Sequence, residues 1–323
     1  METRVIGKNG PKVSVVGLGC NNFGGRLDLA GTREVVAKAI DLGINFFDTA
    51  DIYGGRTYNN YGGSEVDLGT ALGSRRKDVV LATKFGMVFE GAGSGAKRAY
   101  VMSACEASLK RLKTDYIDLY QIHAPDTSTP IEETLRALDD LVKQGKVRFI
   151  GCSNFSAGQI DEAMKVSAQN KLAAFVSSQD EYSLLVRDEE KATVPVLQRV
   201  GLGLLPYFPL ASGMLTGKYK RGQPGPKGAR LSAPGLSGRY MSDKNWAIVE
   251  KLEAFCAQRG KTILDLAFAW LLAHDYVPSV IAGATSISQV EQNVRCASWK
   301  LTAAEKEEVD RLTRDSKRQA FSL

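Results

Sequence analysis

The sequence predicts one (β/α)8 TIM barrel, an α/β fold in which eight parallel strands alternate with helices. Eight short apolar runs occur along the 323 residues, and the segments between them carry helical periodicity. Several runs are apolar on both faces, as parallel strands covered by helices are. The runs are residues 15–19, 44–48, 79–84, 116–123, 147–153, 174–179, 203–207 and 278–283. We expect one domain spanning residues 1–323.

The remaining segments have signals of their own. Residues 2–14 read as an N-terminal β-hairpin with a turn at KNG. Residues 32–42 begin on a threonine and stop before a glycine, which predicts a helix with the threonine as its N-cap. Residues 131–144 predict another helix, because glutamates lie in its first turn and a lysine in its last. Further helices are predicted at residues 243–258, 262–272 and 302–314, and long loops on the C-terminal face of the barrel at residues 85–99 and 217–241.

A doubly wound nucleotide-binding sheet is the competing fold. Its fingerprint would lie at residues 17–22, GLGCNN, directly after the first run. Asn22 stands where the GxGxxG motif needs its third glycine, and no short helix-opening pattern follows. The barrel is therefore the preferred prediction.

Charge and composition disfavour several classes of function. The net charge is +6, but lysines and arginines are spread along the chain, so neither a nucleic acid nor a membrane is a predicted partner. The five cysteines form no CxxC pair and the chain has two histidines, so no metal site is predicted. The N-terminal segment lacks an apolar signal core, and no apolar run approaches the ~18 residues of a membrane span. We expect a cytoplasmic protein.

Four chemically active side chains are expected at one rim of the barrel. Asp48, Lys84 and His123 end the second, third and fourth runs, and Tyr53 follows in the loop after Asp48. The C-terminal ends of consecutive strands lie side by side in such a barrel, so these side chains can converge. Singly, each has an ordinary alternative: a capping aspartate, a loop tyrosine, a lysine at the solvent or a core histidine. Their shared position on consecutive units favours an active site.

These four groups suit acid–base chemistry on an oxygen atom. A tyrosine ionises near pH ~10, which is too high for easy proton transfer, but an adjacent ammonium lowers that pKa. A carboxylate would hold the ammonium in place, and a histidine beside the phenol would polarise the substrate oxygen. The set contains no nucleophile and no metal ligand cluster. It fits a carbonyl group that receives hydride from a cofactor.

Motifs along the chain carry a resemblance to a known family. They are FFDTADIYG, GGSEVDLGTAL, VVLATKFG, SLKRLKTDYIDLYQIHAPD, GKVRFIGCSNFS, SSQDEYSLL, PYFPLASGMLTGKY and SVIAGATSISQVEQN. In these motifs and their order, the sequence resembles the aldo-keto reductase superfamily, in particular its shaker-channel-β-like and general bacterial branch. The resemblance implies an oxidoreductase with Tyr53 as general acid. It also implies that Asp48, Lys84 and His123 complete a tetrad, and that a nicotinamide cofactor lies extended across the barrel mouth.

The resemblance assigns the cofactor contacts residue by residue. Ser153, Asn154 and Gln179 should hold the nicotinamide carboxamide, and Tyr207 should stack on the ring. Pro209, Leu210, Ala211, Ser212 and Lys218 should follow the pyrophosphate. Gly283, Thr285, Gln289, Gln292 and Asn293 should surround the adenosine at the start of the last barrel helix, where free N–H groups suit a phosphate. Gly19, Cys20, Asn21, Asp48 and Phe208 complete the set. Taken singly, each of these could be a packing or capping residue.

Departures from the family pattern bear on cofactor choice. Gly283 and Gln289 occupy places where many members have a lysine and an arginine. Arg230 and Lys218 are then the expected cations near a 2′-phosphate, so NADP(H) is the preferred cofactor and NAD(H) the alternative. The alternative for Arg230 is a solvated loop residue. Gln292 also replaces a usual glutamate, and Cys20 a usual threonine.

The substrate and the physiological role are less constrained. Candidate pocket residues are Phe23, Tyr53, Tyr58, Met87, Phe89 and His123, together with the tail near Phe321. The segment RTYNNY at residues 56–61 is an insertion relative to the family, and it either contacts substrate or covers the rim. A small carbonyl or alcohol compound is the expected partner. The alternatives are a regulatory module that holds the cofactor with little turnover, and a dehydrogenase of alcohols or sugars; oligomeric state stays open.

Overall fold

The chain begins with a two-stranded hairpin. The structure is a computed structural model that describes residues 1–55, 59–232, 237–314 and Ser316. Strands β1 (Thr3–Val5) and β2 (Lys12–Ser14) pair antiparallel, as the hairpin prediction requires. Gly7 lies between them at φ +57°, and a Cβ atom there would come within 2.6 Å of the Gly201 carbonyl oxygen. The hairpin can therefore lie flat against the barrel only with glycine at this position.

Eight parallel strands form a nearly closed barrel, which confirms the predicted (β/α)8 architecture. In spatial order β10 is followed by β3 and then by each successive strand to β9. Near the remaining gap, the Leu204 N–H donates to the Tyr276 carbonyl oxygen at 2.7 Å. The strands are β3 (Val16–Gly19), β4 (Phe46–Asp48), β5 (Val80–Phe85), β6 (Ile117–Ile122), β7 (Val147–Ser153), β8 (Phe175–Glu181), β9 (Gly203–Tyr207) and β10 (Val280–Gly283).

Helices occupy the segments between the strands. Two of them precede β10, and one more follows the last barrel helix, as predicted. The helices are α1 (Leu29–Asp41), α2 (Gly63–Leu72), α3 (Arg98–Leu112), α4 (Ile131–Lys143), α5 (Ala157–Asn170), α6 (Thr193–Val200), α7 (Asp243–Ala257), α8 (Ile263–Leu272), α9 (Ile287–Cys296) and α10 (Ala303–Thr313).

The start of α1 corrects one prediction. The helix was expected to begin at Thr32, but it begins at Leu29, and Asp28 is its N-cap. The Asp28 carboxylate accepts the Gly31 N–H at 2.9 Å, which satisfies one of the free donors of the first turn. Thr32 is fully buried inside the helix. An aspartate one turn earlier is an equally good cap, so the threonine was a misleading signal.

The barrel interior is apolar below the rim and polar at it. Phe46, Ala82 and Leu119 belong to a buried cluster that also contains Ile6 and Val13 of the hairpin segment. Side chains two residues apart on a strand share a face. Asp48, Lys84 and Gln121 therefore follow the first three into the interior, one layer higher. The hairpin packs under one end of the barrel, and the polar layer lies at the other.

Candidate active site

Lys84 is the centre of the polar layer. Its Nζ lies 2.6 Å from Asp48 Oδ2, 2.8 Å from the Thr49 carbonyl oxygen and 3.4 Å from the Tyr53 hydroxyl. Lys84 is fully buried and Asp48 is 4% exposed. A buried ammonium is tolerated only with partners of this kind, since removing either charge would strand the other. The contacts join Asp48, Lys84 and Tyr53 in one chain.

Two glutamines fix the second carboxylate oxygen of Asp48. Gln179 Nε2 donates to Asp48 Oδ1 at 2.9 Å, and Gln121 Nε2 donates to the same atom at 3.2 Å. Gln179 was expected to hold a carboxamide, and its amide nitrogen instead contacts Asp48 in this structure. Gln121 was not predicted at all. The signal for it was its place two residues before His123 on an inward-facing strand.

Burial and charge shift the pKa values of Lys84 and Tyr53. Burial lowers the pKa of Lys84, but attraction to Asp48 and Tyr53 outweighs it and raises that pKa overall. Burial raises the pKa of Tyr53, and the lowering effect of Lys84 does not overcome it. The expected lowering by Lys84 is therefore present, but the net shift of the phenol pKa is upward. The phenol keeps its proton at neutral pH, as a proton donor must.

His123 faces the tyrosine edge-on. The two ring centroids are 5.9 Å apart at an interplanar angle of 81°. Burial, followed by the charge of Lys84, lowers the pKa of His123 to about 3, so the imidazole is neutral at physiological pH. Its buried Nδ1 has no hydrogen-bond partner among residues the structure describes. The imidazole is available to a ligand as a neutral hydrogen-bonding group.

Asn154 forms hydrogen bonds with two other predicted nicotinamide contacts, Ser153 and Tyr207. Its Nδ2 donates to the His123 carbonyl oxygen and to Ser153 Oγ, both at 2.9 Å. Its Oδ1 accepts a hydrogen bond from the Tyr207 hydroxyl at 2.8 Å. Its backbone N–H donates to Asp180 Oδ1 at 3.0 Å. The structure thus brings Ser153, Asn154 and Tyr207 together, and it adds Asp180, which sequence reasoning missed.

A cavity of about 640 Å³ opens beside these groups. This volume lies in the usual range of a small-molecule or cofactor site. Tyr53 and Met87 line one part of it, and Asn21, Phe208 and Arg230 another. Tyr53 therefore borders the same space as four of the predicted cofactor contacts, which are Asn21, Phe208, Ser212 and Arg230.

The segment after β9 has an unusual backbone. Phe208, Ala211 and Ser212 have φ angles of 49°, 46° and 55°, the left-handed region that most residues avoid. Such strain clusters at ligand-binding segments. Ser212 and Phe208 both line the cavity. The Ala211 N–H donates within the segment, to the Phe208 carbonyl oxygen at 2.8 Å. The segment is therefore a candidate ligand-binding part of the cavity wall.

Three cations lie near one another where Arg26 and Arg230 line the cavity. Burial, then the charges of Arg26 and Arg230, lower the pKa of Lys218. Arg230 donates to Asn22 Oδ1 at 3.2 Å, and Arg26 donates to the Gly228 carbonyl oxygen at 2.6 Å. Like charges held together favour an anion between them. Arg26 was not predicted, because only the fold brings it to the distant loop.

The adenosine-end residues lie next to the loop after β3. A Cβ at Gly283 would come within 3.2 Å of Asn22 Nδ2, so a side chain there would crowd Asn22. The Thr285 N–H donates to Gln289 Oε1 at 2.8 Å, just before α9. Four other predicted contacts are placed as follows: Asn293 and Pro209 are buried, Gln292 is exposed and Leu210 is half-buried.

The substrate-side predictions have four different outcomes. Met87 lines the cavity, as does Tyr61 of the inserted segment. Phe89 packs on the Tyr61 ring, 5.2 Å between centroids. Phe23 is fully buried in the hydrophobic core, so its side chain faces away from the cavity. The predictions for Tyr58 and for the tail near Phe321 concern residues outside the described part of the chain.

Other candidate chemistries find little support in the described part of the chain. All five cysteines are buried and free, and burial raises the pKa of Cys20 well above its ordinary value. No group of three His, Cys, Asp or Glu side chains that the structure describes could hold a metal ion. None of the described helices combines the length and apolar character needed to cross a bilayer.

Comparison with known proteins identifies relatives along nearly the whole chain. A family model described as "Aldo/keto reductase family" matches residues 15–314. A "Probable voltage-gated potassium channel subunit beta" of Arabidopsis thaliana is 36% identical, over 91% of this chain and 90% of the relative. The "L-glyceraldehyde 3-phosphate reductase" of Escherichia coli K12 is 33% identical, over 95% of this chain and 90% of the relative. An uncharacterized oxidoreductase of Bacillus subtilis is 33% identical, over 93% and 92%.

Proposed function

The chain belongs to the aldo/keto reductase family, and we propose on this premise that it is an NADP(H)-dependent reductase of small carbonyl compounds. One observation carries the proposal. The contacts from Asp48 through Lys84 to Tyr53 end at the same cavity that the strained backbone and the cation cluster border. An acid, its charge partner and a cofactor-sized space thus meet at one rim.

The bound cofactor supplies a hydride, and the protein supplies the proton and the environment. The Tyr53 hydroxyl donates its proton to the carbonyl oxygen as negative charge develops there. Lys84, 3.4 Å from that hydroxyl, stabilises the phenolate that remains. Asp48 holds the ammonium in position. The neutral imidazole of His123 orients the substrate oxygen beside Tyr53, and the same groups acting in reverse would oxidise an alcohol or sugar.

The preference for NADP(H) over NAD(H) rests on the three cations. Arg26, Lys218 and Arg230 lie close enough for each guanidinium to lower the pKa of the lysine. A 2′-phosphate would relieve this repulsion, whereas NAD(H) has no charge to offer there. Fluorescence titration should show tighter binding of NADPH than of NADH. Equal affinity for the two would contradict the assignment.

A regulatory subunit with little turnover is the second candidate. It is favoured by the identity to proteins named as potassium channel β subunits in Arabidopsis thaliana and rice. NADPH oxidation with a panel of aldehydes separates the two. If the protein is a reductase, the wild type should turn over an aldehyde, and Tyr53→Phe should abolish turnover but retain NADPH binding. Tyr116→Phe, which removes a hydroxyl from a ring packed between Arg76 and Arg148, is the matched control. Binding without turnover of any aldehyde by the wild type would favour the regulatory subunit.

A further inference from the structure

We propose that Asp180 is a positioning residue, which holds Asn154 in place and through it orients Tyr207 against the nicotinamide. The inference rests on the proposed function, because it assumes that a nicotinamide stacks on Tyr207. Asp180 itself touches neither the cavity nor the reacting atoms. Its effect is carried by the backbone of Asn154.

Asp180 lies on the outer side of β8. Its neighbour Gln179 points into the barrel and contacts Asp48, so Asp180 and Ser178 face the surrounding helices. Asp180 is 3% exposed. Its Oδ2 accepts the Ser178 hydroxyl at 2.6 Å, and its Oδ1 accepts the Asn154 N–H at 3.0 Å. The Asp180 carboxylate is thus buried and held by Ser178 in a position where it accepts the Asn154 N–H.

Asn154 needs such support because its backbone is left-handed. Its φ angle is 62°, a left-handed conformation that asparagine adopts more readily than most residues but that surrounding hydrogen bonds still have to hold. The Asn154 N–H also reaches the Gln179 carbonyl oxygen, but at a longer 3.2 Å. This conformation lets one amide reach both the His123 carbonyl and the Tyr207 hydroxyl. If Asp180 releases the N–H, the Tyr207 ring loses part of its support.

The hold on Asn154 depends on the charge of Asp180. Burial raises the pKa of Asp180 to about 7; the Ser178 hydroxyl lowers it and the charge of Glu189 raises it. Among the described residues, Cys152 of β7 is a further titratable group near Asp180, and its pKa is raised by burial and then by Asp180. A hydrogen bond to an ionised carboxylate is roughly twice as strong as one to its acid form. The hold therefore weakens as the pH falls through neutrality.

Titration of cofactor affinity against pH tests the inference. NADH is the probe, because it lacks the 2′-phosphate, whose own ionisation would obscure the result. Between about pH 8 and pH 6, we expect wild-type affinity for NADH to fall by about fivefold. Asp180→Asn mimics the protonated acid, so its affinity should be low and nearly independent of pH. Ser178→Ala removes a bond that lowers the pKa of Asp180, so the transition should move to higher pH.

The control is Asp139→Asn. Asp139 is also buried and also accepts a backbone N–H, from Ala173 at 2.9 Å, but it lies on α4. This variant should follow the wild-type pH curve. An unchanged transition in both Asp180→Asn and Ser178→Ala would overturn the inference and leave the proposed function intact. Failure of the wild type to bind either NADH or NADPH would overturn both.

Discussion

Asp51→Asn should change how the stability of the protein depends on pH. Asp51 lies two residues before Tyr53 and is 1% exposed. Neither of its carboxylate oxygens has a hydrogen-bond partner in the part of the chain that the structure describes. The neighbouring carboxylate, that of Glu65, accepts hydrogen bonds from Arg111 and Thr83. Burial, and then the charge of Glu65, raise the pKa of Asp51 from 3.8 to about 8.

The size and sign of the effect follow from these two pKa values. Between about pH 4 and about pH 8 the folded protein binds a proton that the unfolded chain does not, so stability falls as the pH rises. The loss is about 1.4 kcal/mol per pH unit, or on the order of 4 kcal/mol between pH 5 and pH 8. Asparagine does not ionise. The variant should gain stability relative to the wild type by up to that amount over this interval.

Urea unfolding at a series of pH values measures the difference. A constant offset between the two proteins is expected from the buried amide, so the informative quantity is the change in the offset with pH. Asp139→Asn is again the control. Burial raises the pKa of Asp139, but the hydrogen bonds from Lys143 and Ala173 lower it overall. The difference in stability between Asp139→Asn and the wild type should therefore stay constant above about pH 5. Parallel curves for Asp51→Asn and the wild type would refute the reasoning.

Three further predictions concern the site and the core. Lys84→Met should lower kcat by about 10²–10⁴-fold in aldehyde reduction, because the phenolate loses its counter-charge; normal turnover would contradict the proton-donor assignment. Arg230→Ala should weaken NADPH binding by about tenfold or more and leave NADH unchanged, whereas Lys227→Ala in the same loop should alter neither. Leu119→Ala, which truncates a fully buried side chain in the lower barrel, should cost about 2–5 kcal/mol of unfolding free energy by urea titration; a loss below 1 kcal/mol would mean that the layer is not closely packed.

The convergence of Asp48, Lys84 and Tyr53 at one rim was predictable because it depends on local pattern. Asp48, Lys84 and His123 each end an apolar run, and parallel strands in a barrel bring such ends together. The strand bounds moved by a few residues, but the face on which each side chain lies did not. Tyr53 lies in the loop directly after one of these strands, so it too was within reach of pattern.

What escaped prediction depends on contacts between distant segments. Arg26 meets the loop that carries Arg230 only in the folded chain, and Asp180 contacts Asn154 only because β8 lies beside β7, which ends one residue before Asn154. Phe23 was misplaced for the same reason, since an aromatic loop residue can face a cavity or the core with the same local sequence. The phenol pKa was misjudged because the desolvation of Tyr53 depends on the packing around it.

The apolar layer under Lys84 determines from which side a ligand can enter the cavity. Ile6, Phe46 and Leu119 are completely shielded from solvent, and the hairpin covers that end of the barrel. The apolar layer therefore closes the barrel below the cavity beside Tyr53, and the cavity opens at the rim. In the part of the chain that the structure describes, a ligand therefore reaches Tyr53 from the rim and not through the barrel.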